Sequence, residues 1–108
     1  MNENYRGDTF WRSYEVEYEN ETYTFKEGDY IIVAFCDYAS NRYLEKNIKA
    51  TANKTTIDVV WDKEEMATLE NKQYILEVEV TTSDFRKTYQ EQVDISKDYI
   101  VTTETGDE

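Results

Sequence analysis

The sequence contains no histidine and no proline, and only one cysteine and three glycines among its 108 residues. Without histidine, the chain lacks the commonest general base and the usual transition-metal ligand. The single cysteine, Cys36, excludes a disulfide within the chain and any zinc site built from several cysteines. Three glycines are too few for a glycine-rich phosphate loop. We therefore expect no catalytic residues, no cofactor and no metal site.

Acidic residues outnumber basic ones by 24 to 12, which gives a formal net charge of −12. This excess argues against direct binding to a nucleic-acid backbone, because phosphate contacts need lysine and arginine. No apolar run is long enough to span a bilayer, and the polar N-terminus does not match a secretory signal. We expect synthesis in a reducing cytoplasm and no membrane binding.

Alternation of apolar and polar residues with a period of two is the dominant pattern, and it predicts β-strands. The predicted strands are 10–18, 30–37, 43–48, 55–61, 74–80 and 85–95, with shorter extended pieces at 23–25 and 99–101. Tyr89, Val93 and Ile95 are predicted to point inward from the strand at 85–95. About seven short strands with one short helical turn fit an all-β fold, the β-sandwich. We expect a single domain over 1–101, followed by an acidic polar tail over 102–108.

The helical turn is predicted where Asp62 precedes two glutamates. Asp62 is suited to the N-cap, and Glu65, three residues later, completes a capping-box pattern. Together with Asp58 and Glu64 these carboxylates are the densest acidic group, but capping already accounts for Asp62 and Glu65. An enzyme would need a cleft with converging carboxylates.

Four large side chains are predicted to lie opposite the core-facing side of their strands, and we take them as candidate contact residues. They are Trp11, Tyr30, Ile32 and Tyr43. On the strand at 30–37, Ile31, Val33 and Phe35 would then face the core. The alternative is that these four side chains pack in the ordinary way between two sheets.

Acidic residues recur along the first predicted strand and beyond it, at Glu15, Glu17, Glu19 and Glu21. Glu77 and Glu79 would extend this surface if their strands share a sheet. Such a surface favours solubility, attraction to a basic segment of a neighbouring subunit, or imitation of DNA phosphates. The segment 42–54, with Arg42, Lys46, Lys49 and Lys54, is locally basic.

Two further features receive structural interpretations. The tripeptide Arg6-Gly7-Asp8 matches an integrin-binding motif, but a glycine that lets the backbone bend before a strand explains it better. Cys36 lies in an apolar strand without a local positive neighbour, so we expect a packed thiol rather than a reactive one.

The order of several segments resembles the small immunoglobulin-like domains of tailed-phage structural proteins. These segments are RGDTF at 6–10, ETYTFKEGD at 21–29, DKEEMATL at 62–69, YILEVEV at 74–80 and VDI at 93–95. The resemblance is to the N-terminal domain of the baseplate upper protein and to related short prophage proteins. It implies an immunoglobulin-like fold, a place in the virion and no catalytic residues.

The sequence and this resemblance lead to two hypotheses. In the first, the protein is a non-enzymatic tail or baseplate component that binds other virion proteins or copies of itself. In the second, it is an acidic phage-encoded inhibitor, similar to anti-CRISPR proteins, that blocks a basic host nuclease or DNA-binding protein. The candidate interaction residues are Trp11, Glu15, Glu17, Glu19, Tyr30, Ile32, Tyr43, Glu77 and Glu79.

Overall fold

The computed structural model describes residues 3–5 and 9–96. The tripeptide at 6–8, the predicted strand at 99–101 and the tail at 102–108 lie outside these residues. The described part contains nine strands and one short helix. They are β1 (Glu3–Tyr5), β2 (Phe10–Tyr14), β3 (Glu17–Tyr18), β4 (Glu21–Thr22), β5 (Tyr30–Cys36), β6 (Arg42–Lys49), β7 (Ile57–Trp61), α1 (Lys63–Met66), β8 (Lys72–Thr81) and β9 (Arg86–Ser96). The all-β prediction is confirmed.

The larger sheet has five strands in the order β1-β9-β8-β5-β6. All neighbours are antiparallel except β1, which runs parallel to β9. The strand β5 lies inside this sheet, between β8 and β6, and carries apolar residues on both faces. As predicted, Ile31, Val33 and Phe35 are fully buried.

A second layer, the antiparallel pair β2–β7, covers the inner face of the larger sheet. Aromatic rings join the two layers: Phe10 lies 5.4 Å from Phe35, and Phe35 lies 5.2 Å from Trp61, between ring centroids. Edge-to-face pairs of this kind add to the apolar area that the rings bury. The core therefore lies between the two layers, with Ile57 and Val59 of β7 facing it as predicted.

The predicted capping box at the start of α1 is present. The Glu65 amide donates to Asp62 Oδ1 at 2.8 Å, and the Asp62 amide donates to Glu65 Oε1 at 3.0 Å. The turn that follows directs Met66 and Leu69 into the core. Beyond it, the Glu70 amide donates to the hydroxyl of buried Tyr74 at 2.9 Å, which ties the connection to the start of β8.

The first long strand is shorter than its apolar pattern predicts. β2 ends at Tyr14, and the chain then forms the separate hairpin β3–β4. Positive φ angles at Glu19 and Asn20 make its two-residue turn. The alternation continues through Val16 because that side chain stays buried after the pairing with β7 has ended.

The predicted extended piece at 23–25 bridges two loops rather than joining a sheet. Phe25 exchanges two backbone hydrogen bonds with residues 53 and 54, both of 2.8 Å. Next to it, the carboxylate of buried Asp29 accepts from the amides of Lys26 at 2.8 Å and Ser83 at 3.3 Å. Gly28, with a φ of 98°, allows the turn that brings Asp29 to this position. One buried carboxylate thus fixes two turns at the same end of the molecule.

Two side chains on the inner side of the sheets are not fully buried. Tyr89 lies on the inner side of β9 opposite Val78, yet it is 41% exposed because β2–β7 does not extend over it. Arg12 faces inward, where its guanidinium lies 4.3 Å from the centroid of the Phe10 ring and pairs with Glu91 at 2.7 Å. The Arg12 guanidinium thus covers the core beside β2.

No helix in residues 9–96 is long and apolar enough to cross a membrane.

Candidate interaction surfaces

The predicted contact residues separate into two surfaces on opposite sides of the molecule, one hairpin and one edge strand. Tyr30, Ile32, Glu77 and Glu79 lie together on the outer face of the five-stranded sheet, here called the sheet face. Trp11 lies on the outer side of β2, here called the Trp11 face, and Glu15 directly follows that strand. Glu17 and Glu19 belong to the neighbouring hairpin, and Tyr43 lies near the start of β6.

An apolar strip runs along the centre of the sheet face. It is formed by the outward side chains of β5 and one residue of β8: Tyr30, Ile32, Ala34, Cys36 and Ile75. A shallow depression of about 550 Å³ lies beside Tyr30 and Ile32 and is bounded by Asn47 and Lys49. No strand or helix among residues 9–96 covers this strip.

The carboxylates of the sheet face are neutralised by arginines. Arg42 donates to Glu77 at 2.7 Å and to Glu45 at 2.9 Å, and Arg86 pairs with Glu79. Glu77 and Glu79 are only half exposed, and they lie in the five-stranded sheet, whereas Glu15 follows β2 of the other layer. They therefore do not extend the acidic surface of the first strand.

Cys36 lies at the end of the apolar strip. Burial, followed by the charge of Glu77, raises the pKa of its thiol. A raised pKa reduces the thiolate population, which is the form that reacts. The thiol therefore packs as a small apolar group.

The Trp11 face carries the two most exposed apolar side chains of the strands from β2 to β9 whose burial the structure describes. Trp11 is 62% exposed, and Val60, its directly paired neighbour on β7, is 55% exposed. The next outward pair is Ser13 and Asp58, so a hydroxyl and a carboxylate border the apolar pair. Sequence alternation places Val60 outward, but only the register of β2 and β7 shows that it adjoins Trp11.

The acidic row of the first strand and hairpin is fully solvated. Glu15, Glu17, Glu19 and Glu21 are all exposed. None of them forms an ion pair with a lysine or arginine of the described part of the chain. Glu21 pairs with Tyr18 in the hairpin and therefore lies on the other side from Glu17, so the four carboxylates do not all face one way.

The basic segment 42–54 is partly used inside the molecule. Lys46 donates to Glu65 at 2.7 Å, which lowers the pKa of that carboxyl, and Arg42 is held by Glu45 and Glu77. Lys49 and Lys54 form no ion pair with residues 9–96. The segment therefore offers a partner fewer cations than its composition indicates.

Tyr43 lies on the core side of β6 and not on the outer side as predicted. The register places it opposite Phe35, and its ring centroid lies 5.9 Å from that of Tyr74. The cause is a bulge at Leu44, whose φ is 54°. An extra residue of this kind moves the preceding side chain to the other face of the strand.

The hydroxyl of Tyr43 helps to order the loop after β5. Asp37 accepts from this hydroxyl at 2.8 Å and from the amides of Ala39 and Asn41, both at 2.9 Å. These bonds, of which the Asn41 amide contributes most, lower the pKa of Asp37 to about 2. They identify Asp37 as a structural carboxylate.

The carboxylates at 58–65 do not converge on a cleft. Asp62 and Glu65 are used in the capping box, while Asp58 points to solvent from β7. Within the described residues, no group of three or more cysteine or acidic side chains could hold a metal ion.

Comparison with protein-family models, curated proteins and solved structures found no match for the chain.

Proposed function

We propose that the protein is a non-enzymatic, immunoglobulin-like interaction module of a phage or prophage particle. It is made in the host cytoplasm and binds another virion protein through the Trp11 face. The phage setting rests on the sequence resemblance, whereas the mode of action rests on the surfaces described above.

Two structural features support the immunoglobulin-like assignment. In such domains two antiparallel sheets pack together. In addition, the hydroxyl of a tyrosine near the start of one of the last strands forms a hydrogen bond with the backbone a few residues before it. Tyr74, at the start of β8, accepts from the Glu70 amide in this way. The layer β2–β7, packed over the sheet that contains β5, β8 and β9, gives the corresponding arrangement.

The exposed pair Trp11–Val60 is the observation that carries the proposed binding role. Tryptophan is enriched at the energetic centres of protein interfaces, where a polar rim excludes water around it. Here Ser13 and Asp58 supply the start of such a rim. A folded strand pair gains nothing from leaving a tryptophan 62% exposed, so a partner that buries it would gain affinity.

Particles induced from the strain that encodes the chain test this proposal. We expect the wild-type chain to be present in purified particles and the Trp11→Ala variant to be depleted at least tenfold, as measured by quantitative mass spectrometry. The control is Tyr38→Ala, which removes another exposed ring, in the loop after β5. Particles that lack the wild-type chain, or that retain both variants equally, would contradict the proposal.

A second candidate function, inhibition of a basic nucleic-acid-binding protein, is favoured by the acidic row. Exposed, unpaired carboxylates attract a basic channel, and their attraction weakens as salt increases. Glu15, Glu17 and Glu19 would then supply most of the binding energy.

A matched pair of triple and double variants tests the inhibitor hypothesis on purified host nucleases. Changing Glu15, Glu17 and Glu19 to glutamine should abolish inhibition and its salt dependence. Changing the paired Glu77 and Glu79 to glutamine should leave inhibition in place. Absence of any inhibition by the wild-type chain, or equal loss in both variants, would exclude this role for the acidic row.

A further inference from the structure

We infer that the partner bound at the Trp11 face adds an extended segment to the free edge of β2 as a further β-strand, with lysine or arginine at one end of that segment. This inference rests on the proposed function and names the kind of partner and how it binds. It is supported by an open backbone edge, a groove along that edge, and carboxylates without ion pairs at its end.

The smaller layer has an open backbone edge. Within the described residues it consists of β2 and β7 alone, whereas each sheet of an immunoglobulin-type sandwich has at least three strands. Alternate residues of an antiparallel strand direct their N–H and C=O groups away from the partner strand, so β2 presents such groups on its free edge. Among the described side chains, only that of Arg12 bonds to the backbone of β2, by donating to the Trp11 carbonyl. A carbonyl oxygen can accept a second hydrogen bond, so this contact does not close the edge.

A groove runs along this edge. A depression of about 500 Å³ is lined by residues 9–13 and by no residue of β7. Successive side chains of a strand point to opposite faces, so a depression that touches all five residues lies beside the backbone, on the side away from β7. The groove therefore has the position that a third strand of this layer would take.

The free edge of β2 adjoins the part of β9 that the smaller layer leaves uncovered. Arg12 of β2 reaches Glu91 of β9, so this edge lies on the β9 side of the molecule. The Glu91 side chain is 45% exposed, and Tyr89, which points the same way from β9, is 41% exposed. A strand added to β2 would extend the layer over both side chains, and its inward residues would bury part of the Tyr89 ring.

The edges of the five-stranded sheet are protected against strand addition. β1 has only three residues, and the part of β9 that β1 leaves unpaired begins with Arg86 and Lys87. At the other edge, β6 has a bulge at Leu44 and carries Lys46 and Lys49. Short edge strands, bulges and charged side chains, above all lysine, are features by which proteins prevent strand addition.

The two strands of the smaller layer differ in this respect. The start of β7 adjoins a depression bordered by Lys49 and Lys54. β2 has no lysine, and its pairing with β7 shows no register shift. Its one charged side chain, Arg12, is paired with Glu91 at 2.7 Å, so it adds no uncompensated charge to the edge. β2 is therefore the edge on which we place the partner strand.

The charges at the end of β2 favour a basic partner. Glu15 and Glu17 follow β2, are exposed, and form no ion pair with the described residues. A lysine or arginine at the end of the added strand would pair with them. Beside Trp11, an outward apolar residue of that strand would form a cross-strand pair. A second copy of the chain is a poor occupant, because both copies carry a net charge of −12.

Titration of the purified, nitrogen-15-labelled full chain with a synthetic peptide tests this inference. The probe is the peptide KTVTVTVK, which is basic at its ends and has a high β-propensity. We expect saturable binding that shifts the amide resonances of β2 and leaves those of β6 unchanged. The acidic control peptide ETVTVTVE should bind at least tenfold more weakly, because its ends are repelled by Glu15 and Glu17.

An N-methylated version of the probe separates strand addition from binding through side chains. Methylation of every backbone amide removes the donors of the peptide but keeps its side chains and charges. Binding should weaken at least tenfold, because strand addition depends on backbone hydrogen bonds. Equal binding of the methylated peptide, equal binding of the acidic control, or no binding of the probe to the full chain would each overturn the inference.

Two further outcomes would assign the edge to another occupant and would also overturn the inference. One is peptide binding that occurs only after deletion of residues 97–108, since the chain itself would then fill the edge. The other is a shift of β2 resonances with protein concentration in the absence of peptide, which would indicate a second copy. Depletion of Trp11→Ala from particles, combined with no peptide binding, would refute strand addition alone and leave the proposed function intact.

Discussion

At the scale of single residues, two tyrosines on opposite sides of the core differ in one hydrogen bond. The Tyr74 hydroxyl accepts from the Glu70 amide, whereas the Tyr14 hydroxyl is buried without a hydrogen-bond partner among the described residues. Burial, followed by the charge of Glu91, raises the pKa of Tyr14 to about 12. A buried polar group without a partner costs free energy that a bonded one does not.

We therefore predict opposite outcomes for the same substitution at these two positions. Tyr74→Phe should lower the free energy of unfolding by about 1–2 kcal/mol, because it leaves the Glu70 amide without an acceptor. Tyr14→Phe should leave stability unchanged or raise it by up to about 1 kcal/mol. Urea denaturation measures both, and equal destabilisation of the two variants would refute the assignment.

Asp37 provides a residue-scale prediction of pH dependence. Its folded-state pKa of about 2 lies below the ordinary value of about 3.9. The carboxylate therefore stabilises the folded chain fully above pH 4, and this contribution is lost as pH falls toward 2. Between pH 5 and 2 the wild type should lose more stability than Asp37→Asn in acid-denaturation series. If the free energy of unfolding falls equally steeply with pH in the two proteins, the prediction is wrong. An NMR titration of the Asp37 carboxyl measures its pKa directly.

At the scale of elements, α1 is only one turn long, so it depends on its cap. Asp62→Ala should destabilise the protein by about 1 kcal/mol, because it removes the acceptor for the Glu65 amide. The control Glu64→Ala lies in the same turn, is exposed and makes no capping bond. The melting temperatures of the two variants measure this effect. If they agree within measurement error, the packing of Met66 alone holds the turn.

The elements also show what sequence reasoning could and could not establish. The strands β5, β7 and β8 were predictable from their sequence patterns. Alternating apolar and polar residues indicate a strand that is buried on one face, and a continuous apolar run indicates a strand with apolar residues on both faces. β1 was missed, since its three polar residues gain their strand conformation only from pairing with β9. The reversed side of Tyr43 was equally hidden, because a bulge depends on register and not on residue type.

The two interaction surfaces depend on contacts between distant parts of the chain. Alternation showed that Trp11, Tyr30 and Ile32 point outward. It did not show that Glu77 pairs with Arg42, which lies 35 residues away, or that Val60 adjoins Trp11. The sequence therefore predicted most of the outward-facing residues. Which of these residues lie on the same side of the molecule could be seen only from the order of strands in the sheets.

At the scale of the whole molecule, the net charge of −12 destabilises the compact state by self-repulsion. Raising NaCl from 20 to 500 mM should therefore increase the melting temperature by several degrees, despite weaker surface ion pairs. The scan is best made at low protein concentration, so that any association between chains does not contribute. A melting temperature that falls with NaCl would mean that the ion pairs of the sheet face dominate.

The edge strand β6 limits how copies of this protein can be joined. The carbonyl of Leu44, at the bulge, is already bonded to the indole Nε1 of Trp61 at 2.8 Å. An added strand would find that acceptor occupied and the edge bent, with Lys46 and Lys49 nearby. Bulges and lysines of this kind prevent one sheet from continuing into the next. Growth of the sheet by strand addition is thereby blocked at this edge.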